Sequence, residues 1–430
     1  MRKLLQRVTA LMAVFMAMPS LAHAQGAGTV DTGDTAWILM SSALVLLMTP
    51  GLAFFYAGMV KAKNVVGTLA QNMVAVAVIG VLWCVIGFSL AFVGDAQGGF
   101  IGTTGAMMLK SVDGTAASGM TIPFNLFMAF QMMFAIITPA LMTGAFAERV
   151  NFKAWIIVSI LWSLVVYSPV AHWVWGGGWL ADKGAFDFAG GFVVHMTAGY
   201  SALMAAILIG KRKDTGMKSY DTGMVVLGTA LLWFGWFGFN AGSALGANGL
   251  AAQAFVTTFL ASAVAMLAWM LVDKCKDGKP TLMGGCIGVV AGLVAITPAA
   301  GYVTSSSAMI IGLLAGVLCN IAARTVKKAG VDDTLDVFAC HGIGGTIGVL
   351  SVGLFASAAI NPAITNGVVN GASELIKAQM IGVLAVAVYS MVATFIIIKV
   401  VGFITPIRVD SGDETAGLDA SQHGEKIQNH

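Results

Sequence analysis

"GGFVVHMTAGYSALMAAILIG", residues 190–210, is the stretch that decides the fold. It contains no Asp, Glu, Lys or Arg, and the one side chain in it that titrates near neutral pH is His195. A helix needs about 20 predominantly apolar residues to cross the hydrocarbon of a bilayer. We therefore predict that this stretch spans a membrane, and the lone histidine within it calls for an explanation.

The rest of the chain is similarly apolar. Of its 430 residues, 58% are hydrophobic and 10% are charged, whereas soluble domains are about a quarter charged. Eleven apolar windows are long enough to be spanning helices. They lie near residues 36–58, 68–93, 122–146, 154–172, 190–210, 223–243, 251–273, 282–298, 303–323, 337–357 and 378–402. The predicted fold class is an all-α integral membrane protein with eleven transmembrane helices.

Residues 1–24 have the pattern of a secretory signal peptide. Arg2, Lys3 and Arg7 precede an apolar run that ends in "AHA", which is typical of a cleavage site for export. Without this segment the chain has 20 basic and 20 acidic residues and no net charge. We therefore expect no nucleic-acid partner. The predicted membrane domain is 25–403, and 404–430 is a polar tail.

The five cysteines are scattered and odd in number. They show neither the paired spacing of a disulfide framework nor the spacing of metal ligands. We expect no cofactor and no metal site, and we interpret these residues as core packing.

The basic residues predict the orientation. Of the 20 that remain after the signal peptide, 17 follow odd-numbered windows, including the eleventh. Loops rich in Lys and Arg stay on the cytoplasmic side. The N-terminus should therefore lie outside and the tail in the cytoplasm, which an exported N-terminus and eleven crossings also require.

Eleven windows also divide into five, five and one. The first window contains "LAFFYAG" from Leu52 and the sixth contains "WFGFNAG" from Trp236, while the fifth and tenth each contain one histidine, His195 and His341. With five helices in each half, 36–210 and 223–357 would be inserted in opposite directions, as in transporters whose sites lie near the membrane midplane. The eleventh helix, 378–402, would stand outside the repeat.

The two histidines suggest a pathway through the membrane. No Lys or Arg lies mid-window, as expected when a charge at the bilayer centre costs about 2.5–3.5 kcal/mol. A neutral imidazole can donate and accept hydrogen bonds without carrying charge. One lone histidine bonding to a helix carbonyl would be an ordinary finding, but two on symmetric helices favour a pathway.

Aromatic residues cluster in the windows that would line this pathway. They are Phe130, Phe134, Trp173, Trp175, Phe237 and Phe239. Most such residues fill cores or mark the membrane interface. A tryptophan face can nevertheless hold a small cation. A cation site outside apolar rings and neutral imidazoles suggests a cargo that is cationic in water and can release a proton.

Five motifs together resemble one family. They are "AFQMMFAIITPALMTGAFAER" from Ala129, "WVWGGGWLADKGAFDFAGGFVVH" from Trp173, "WFGWFGFNAGSA" from Trp233, "VDDTLDVFACHG" from Val331 and "GLDASQHGE" from Gly417. In order and spacing they are similar to the bacterial ammonium transporters of the Amt type, over nearly the whole chain.

This resemblance implies a role for each matching residue. Trp175 and Ser243 correspond to an outer ammonium site, with Phe130 beside them and Asp187 nearby. Phe134 and Phe239 correspond to a stacked pair that closes the pore. His195 and His341 correspond to twin histidines that share a hydrogen bond inside it.

The resemblance also implies a mechanism and partners. Ammonium would be recruited outside, would lose its proton and would cross as ammonia, and methylammonium would serve as an analogue. Because two imidazoles can pass a proton between them, our preferred hypothesis is that they form a proton relay. Family members are homotrimers in the bacterial inner membrane, and many are shut by a signal protein of the PII type that docks on the cytoplasmic face.

Two other functions stay open at this point. One is an ammonium sensor that signals through a partner of the PII type, although the chain has neither a long additional domain nor an altered His195 or His341. The other is a channel of the Rh type for neutral gases, which would not need the cation site that Trp175 and Ser243 suggest. No arrangement of nucleophile and base favours an enzyme.

Overall fold

The computed structural model describes residues 28–216 and 219–427, so the predicted signal peptide lies outside the described residues. Within these ranges the regular structure is helical, and the only β pairing is three isolated bridges. We number the eleven main helical segments in chain order. They are α1 Thr32–Met59, α2 Ala62–Phe92, α3 Phe124–Phe146, α4 Phe152–Asp182, α5 Gly191–Ile209, α6 Thr222–Gly242, α7 Gly249–Asp277, α8 Leu282–Ile296, α9 Ser305–Lys328, α10 Phe338–Phe355 and α11 Glu374–Gly402.

Ten of these segments are long and apolar enough to cross a membrane. The exception in the described residues is α8, which has 15 residues. At 1.5 Å per residue it is about 22 Å long, shorter than the hydrocarbon core of about 30 Å. The window predicted at 282–298 therefore forms a helix, but one below the usual spanning length.

Close helix contacts depend on glycine. Among the described helices, α1 and α6 pack against each other most extensively. A β-carbon at Gly228 would lie 2.3 Å from the backbone nitrogen of Phe55, and one at Gly51 would lie 2.9 Å from the β-carbon of Leu231. Small residues at such positions let two backbones approach where lipid gives no hydrophobic drive. The sixth window is thus fixed against the first.

The helices α5 and α10 begin in unusual backbone. Residues Gly191–Met196 and Phe338–Ile343 form π-helical turns, a local widening that is frequent at functional sites. Gly190, with φ of +129°, precedes the first turn, a conformation that favours glycine. Each predicted histidine lies inside one of these turns.

The tail folds back onto the bundle. A short helix, Ser411–Ala416, is followed by a π-helical turn at Asp419–His423. Glu414 is 7% exposed and accepts hydrogen bonds from the guanidinium of Arg408, at 2.7 Å, and from the backbone N–H of Lys213, at 2.6 Å. The tail is therefore a docked element, whereas a free polar terminus would be solvated.

Candidate functional site

An aspartate caps each of the two π-helical turns. Asp187 accepts hydrogen bonds from the backbone N–H groups of Gly190 at 2.8 Å, Gly191 at 2.7 Å and Phe192 at 2.7 Å. It is 5% exposed, and burial raises the pKa of its carboxyl while these hydrogen bonds oppose the rise. Asp187 thus fixes the start of α5, and its contacts are with backbone.

Asp333 has the same place before α10. Its oxygens accept from the backbone N–H groups of Val337 at 3.1 Å and Phe338 at 2.7 Å. Burial, helped by the nearby charge of Asp336, raises the pKa of this carboxyl to about 7. Sequence reasoning missed Asp333. The signal was available, because Asp187 and Asp333 each precede a histidine by eight residues.

The two histidines meet at the crossing of α5 and α10. Nδ1 of His195 lies 3.2 Å from Nδ1 of His341, and the side chains are 1% and 3% exposed. A β-carbon at Gly199 would lie 2.0 Å from the backbone nitrogen of Gly342. The absence of a side chain at Gly199 is therefore what lets the two helices bring the rings together.

The histidines border a narrow apolar cavity. Its volume is about 10 Å³, which is room for about one molecule the size of water, and its walls come from α1, α3, α5, α6, α8 and α10. The other lining residues are Met48, Leu52, Phe55, Tyr56, Ile137, Leu141, Val194, Leu232, Trp236, Phe239 and Val290. Nε2 of His195 is buried and has no hydrogen-bond partner among the described residues. A small molecule in this cavity could therefore bond to an imidazole and to little else.

Two phenylalanine rings in contact, tilted at 42° to each other, close one end of the cavity. The ring centroids of Phe134 and Phe239 are 4.3 Å apart, and both side chains are 1% exposed. Phe239 also stacks against the ring of His195, at 6.0 Å and 18°. An ion that passed these rings would lose its water without gaining polar contacts, and this makes transit of the intact charge costly.

Trp175 and Phe130 lie on the far side of the Phe134–Phe239 pair. Trp175 and Phe130 both pack edge-on against Phe134, with ring centroids 6.0 Å and 5.0 Å from the Phe134 centroid respectively. The indole N–H of Trp175 donates to the carbonyl of Asp187 at 2.8 Å, which fixes the ring while part of it stays exposed. The backbone carbonyl of Asp187 therefore holds the Trp175 ring in place, and this is how Asp187 contributes to the site.

Ser243 follows the end of α6 near the same aromatic group. Its hydroxyl donates to the carbonyl of Phe239 at 2.9 Å. Since that hydrogen is used, the hydroxyl oxygen is left to accept a hydrogen bond from a ligand. A cation with N–H groups is the type of ligand that matches an aromatic face and such an acceptor.

Two aromatic residues singled out in the sequence, Phe237 and Trp173, lie elsewhere, as does a third histidine, His172. Phe237 stacks on Phe255 of α7, at 4.0 Å and 14°, and Trp173 packs against Tyr389 of α11 at 4.8 Å. His172 has its Nδ1 3.0 Å from the carbonyl of Ala91. These residues serve packing, as most aromatics in apolar windows do.

Trp236 is a second residue that sequence reasoning did not assign. It stacks on His195 at 5.4 Å and 24°, and its indole N–H donates to the hydroxyl of Thr297 at 2.8 Å. The only hint was its place in "WFGFNAG". Within residues 28–216 and 219–427, no group of three or more His, Cys, Asp or Glu could hold a metal ion.

Comparison with known proteins gives the family. The model of the Ammonium Transporter Family matches residues 36–427. This chain belongs to the ammonium transporter family. An ammonium transporter from Bacillus subtilis (strain 168) is 46% identical over 400 residues, which cover 92% of this chain and 98% of the relative.

Solved structures of the family have the same fold. The crystal structure of Candida albicans Mep2 is similar with a TM-score of 0.85 at 37% identity, covering 90% of this chain and 88% of that one. A structure described as a sensor Amt protein is also similar, with a TM-score of 0.83 at 29% identity, covering 91% of this chain and 98% of that one. The helical bundle of this chain thus has the fold of a multi-pass membrane protein of the ammonium transporter family.

Proposed function

We propose that this protein recruits ammonium at the outer aromatic site and conducts ammonia past the paired histidines. Trp175, Ser243 and Phe130 would hold the cation, and Asp187 would position the indole. Phe134 and Phe239 would exclude the intact ion. The cargo would leave its proton before these two rings and cross between His195 and His341.

The observation that carries this proposal is the order of the parts. The parts are a partly exposed tryptophan, two phenylalanines in contact and an apolar cavity that ends at a histidine pair. They follow one another through ring-centroid distances of 4.3–6.0 Å. Ammonium and potassium have equal charge and similar size, so neither property separates them. Only the ability to release a proton lets a cargo enter such a cavity without its charge.

We further propose that a proton follows through the histidine pair, which makes transport electrogenic. A hydrogen bond between two imidazoles allows a proton to be received on one ring and released from the other. Passive conduction of ammonia, with the proton returned outside, is the competing possibility. Ionic current distinguishes the two.

The arrangement in the membrane belongs to the same proposal. All eleven segments would cross, with α8 short because it lies inside the bundle, and the two halves would be inverted repeats. The N-terminus would be outside and the tail in the cytoplasm of a bacterial inner membrane. We also propose a homotrimer and a docking partner of the PII type on the cytoplasmic face.

A second candidate function is ammonium sensing, and one observation favours it. The structural similarity extends to a sensor Amt protein over 91% of this chain. Under that function the site would bind ammonium, but flux would be vestigial. A channel of the Rh type for neutral gases is the other alternative, and the outer cation site argues against it.

The test is uptake and current measured together in proteoliposomes. The wild type should give an ammonium-dependent current and should take up methylammonium. An equal concentration of potassium should give no current and should not be taken up. His195→Ala and His341→Ala should both abolish the current. Wild-type uptake without current would refute the relay but leave ammonia conduction, whereas binding without flux would favour the sensor.

A further inference from the structure

The ring of His195 lies against two aromatic rings of α6. Its centroid is 5.4 Å from that of Trp236, with the ring planes at 24°, and 6.0 Å from that of Phe239, with the planes at 18°. Trp236 and Phe239 are three positions apart on the helix, so their side chains lie on one face of it, with ring centroids 5.2 Å apart. Helix α6 therefore presents a continuous aromatic surface to this imidazole.

The other histidine of the pair has no such surface. Within the described part of the chain, the ring that packs against His341 is that of His195, at 5.3 Å and 32°, and no other ring contact of His341 is found. The two imidazoles share a hydrogen bond but differ in their surroundings. Since Phe239 also belongs to the pair that closes one end of the cavity, His195 is the histidine next to that closed end.

Trp236 is held in its orientation by hydrogen bonds. Its indole N–H donates to the hydroxyl of Thr297 at 2.8 Å, and this hydroxyl donates to the carbonyl of Leu293 at 2.8 Å. Thr297 is fully buried and directly follows α8, which ends at Ile296. If the indole turned away from His195, its buried N–H would lose its acceptor, which is costly. The end of α8 therefore places the residue that fixes Trp236.

We propose that Trp236 stabilises the positive charge of His195 while this ring holds the transferred proton, and that His195 is therefore the first proton acceptor of the pair. A cation within about 6 Å of an aromatic ring centroid is attracted to the negative face of the ring, and tryptophan gives the strongest attraction. Phe239 adds a weaker attraction of the same kind. His341 lacks an aromatic face and takes the proton second.

This preference gives the relay an entry point. A charge in an apolar site is costly, and the aromatic surface lowers this cost on the ring that lies next to the closed end of the cavity. Trp236 is a positioning residue in this role, because it acts on the proton through the ring of His195. The inference rests on the proposed relay and adds which ring takes the proton first and which residue stabilises it there.

Fluorinated tryptophan in place of Trp236, incorporated into the full chain, tests this contact. Fluorine withdraws electrons from the ring and weakens its negative face, while the shape of the ring and its N–H donor are kept. Ammonium-dependent currents are measured with proteoliposomes on a solid-supported membrane over a range of ammonium concentrations. The maximal current should fall stepwise as fluorine atoms are added. The apparent KM should stay constant, because the outer site at Trp175 is unchanged.

Trp83 provides the matched control for fluorination. It is as buried as Trp236, at 2% exposure, and it packs edge-on against Phe88, Phe92 and Tyr167 instead of against a histidine. The same fluorinated residues in place of Trp83 should leave the maximal current at the wild-type value. A fall at both positions would mean that fluorination disturbs packing in general and would overturn the inference.

Two substitutions give the size of the effect. Trp236→Leu removes the aromatic face, and the maximal current should fall by about two- to thirtyfold, the ratio to which loss of a cation–π contact corresponds. Trp236→Phe keeps an aromatic face and should recover part of this loss. If Trp236→Leu does not fold, the fluorinated series still decides. A maximal current that does not change with fluorination refutes the inference and leaves the relay in place, whereas a wild type without ammonium-dependent current refutes both.

Discussion

Nδ1 of His195 and Nδ1 of His341 are joined by one hydrogen bond of 3.2 Å. Two identical ring nitrogens can share a hydrogen bond only if one carries the proton and the other does not, so the rings must be different tautomers. The pair therefore has a direction. It reverses when the bare Nε2 of one ring takes up a proton, the shared proton crosses between the two Nδ1 atoms, and the other ring releases its proton from Nε2. This property is what a relay needs, and a single histidine would not supply it.

Replacing one member of the pair should stop proton movement before it disturbs the fold. For His341→Gln we expect the ammonium-dependent current to fall about a hundredfold, since loss of a positioned proton-transfer group typically costs 10²–10⁴-fold. Currents on a solid-supported membrane measure this. Tyr200→Phe is the matched control, because it removes a 3.1 Å hydrogen bond between the same two helices, to Thr346, without removing a ring nitrogen. A full current in His341→Gln would contradict the relay.

The outer tryptophan should affect affinity more than maximal rate. Trp175→Leu removes the aromatic face but keeps an apolar side chain, and a cation–π contact is worth about 0.5–2 kcal/mol. We expect the apparent KM for methylammonium to rise by about two- to thirtyfold, which is that free energy expressed as a ratio. Uptake over a range of concentrations measures it. An unchanged KM would favour a channel that takes the neutral gas directly.

The positions of the helices could be predicted from the sequence because each helix coincides with an apolar window. The predicted window at 190–210 and the helix Gly191–Ile209 agree to within a residue at each end. The length of α8 could not be predicted, because its apolar stretch continues through Thr297 and Pro298 and only the structure shows the helix ending at Ile296. Composition does not encode where a buried segment stops being helical.

The site was predictable in its residues and not in its contacts. The motifs named His195, Phe134 and Phe239, whose rings lie near one another in the structure. Hydropathy could not show that two histidines at opposite window edges would meet. That meeting depends on a backbone approach at Gly199 that no periodic pattern reveals. Phe237 differs from Phe239 by two positions on one helix, and only packing assigns it to Phe255.

Gly199 should tolerate no side chain. In Gly199→Ala the new methyl would lie 2.0 Å from the Gly342 nitrogen, so α5 and α10 must separate, and overpacking of this kind costs about 1–3 kcal/mol. We expect a lower unfolding temperature by scanning fluorimetry and loss of uptake, because the imidazoles no longer meet. Gly249→Ala is the control, since nothing lies within 4 Å of its β-carbon position. Equal stability and uptake in both variants would show that the approach at Gly199 is not required.

The Asp333 carboxyl should make stability depend on pH. Burial raises its pKa in the folded protein to about 7 from the ordinary value of 3.8, so between these values the folded state binds the proton that the unfolded state has released. Stability from this group is therefore present at low pH and is lost as pH rises through this window.

We expect the unfolding temperature of the wild type to fall between pH 5 and pH 8, and the fall to be smaller in Asp333→Asn, which cannot titrate. The variant should also be less stable at pH 5, because an amide supplies one acceptor where the carboxyl oxygens serve both Val337 and Phe338. Asp410→Asn, at an exposed position in the tail, should keep the wild-type slope. A slope in Asp333→Asn as steep as that of the wild type would place the titrating group elsewhere.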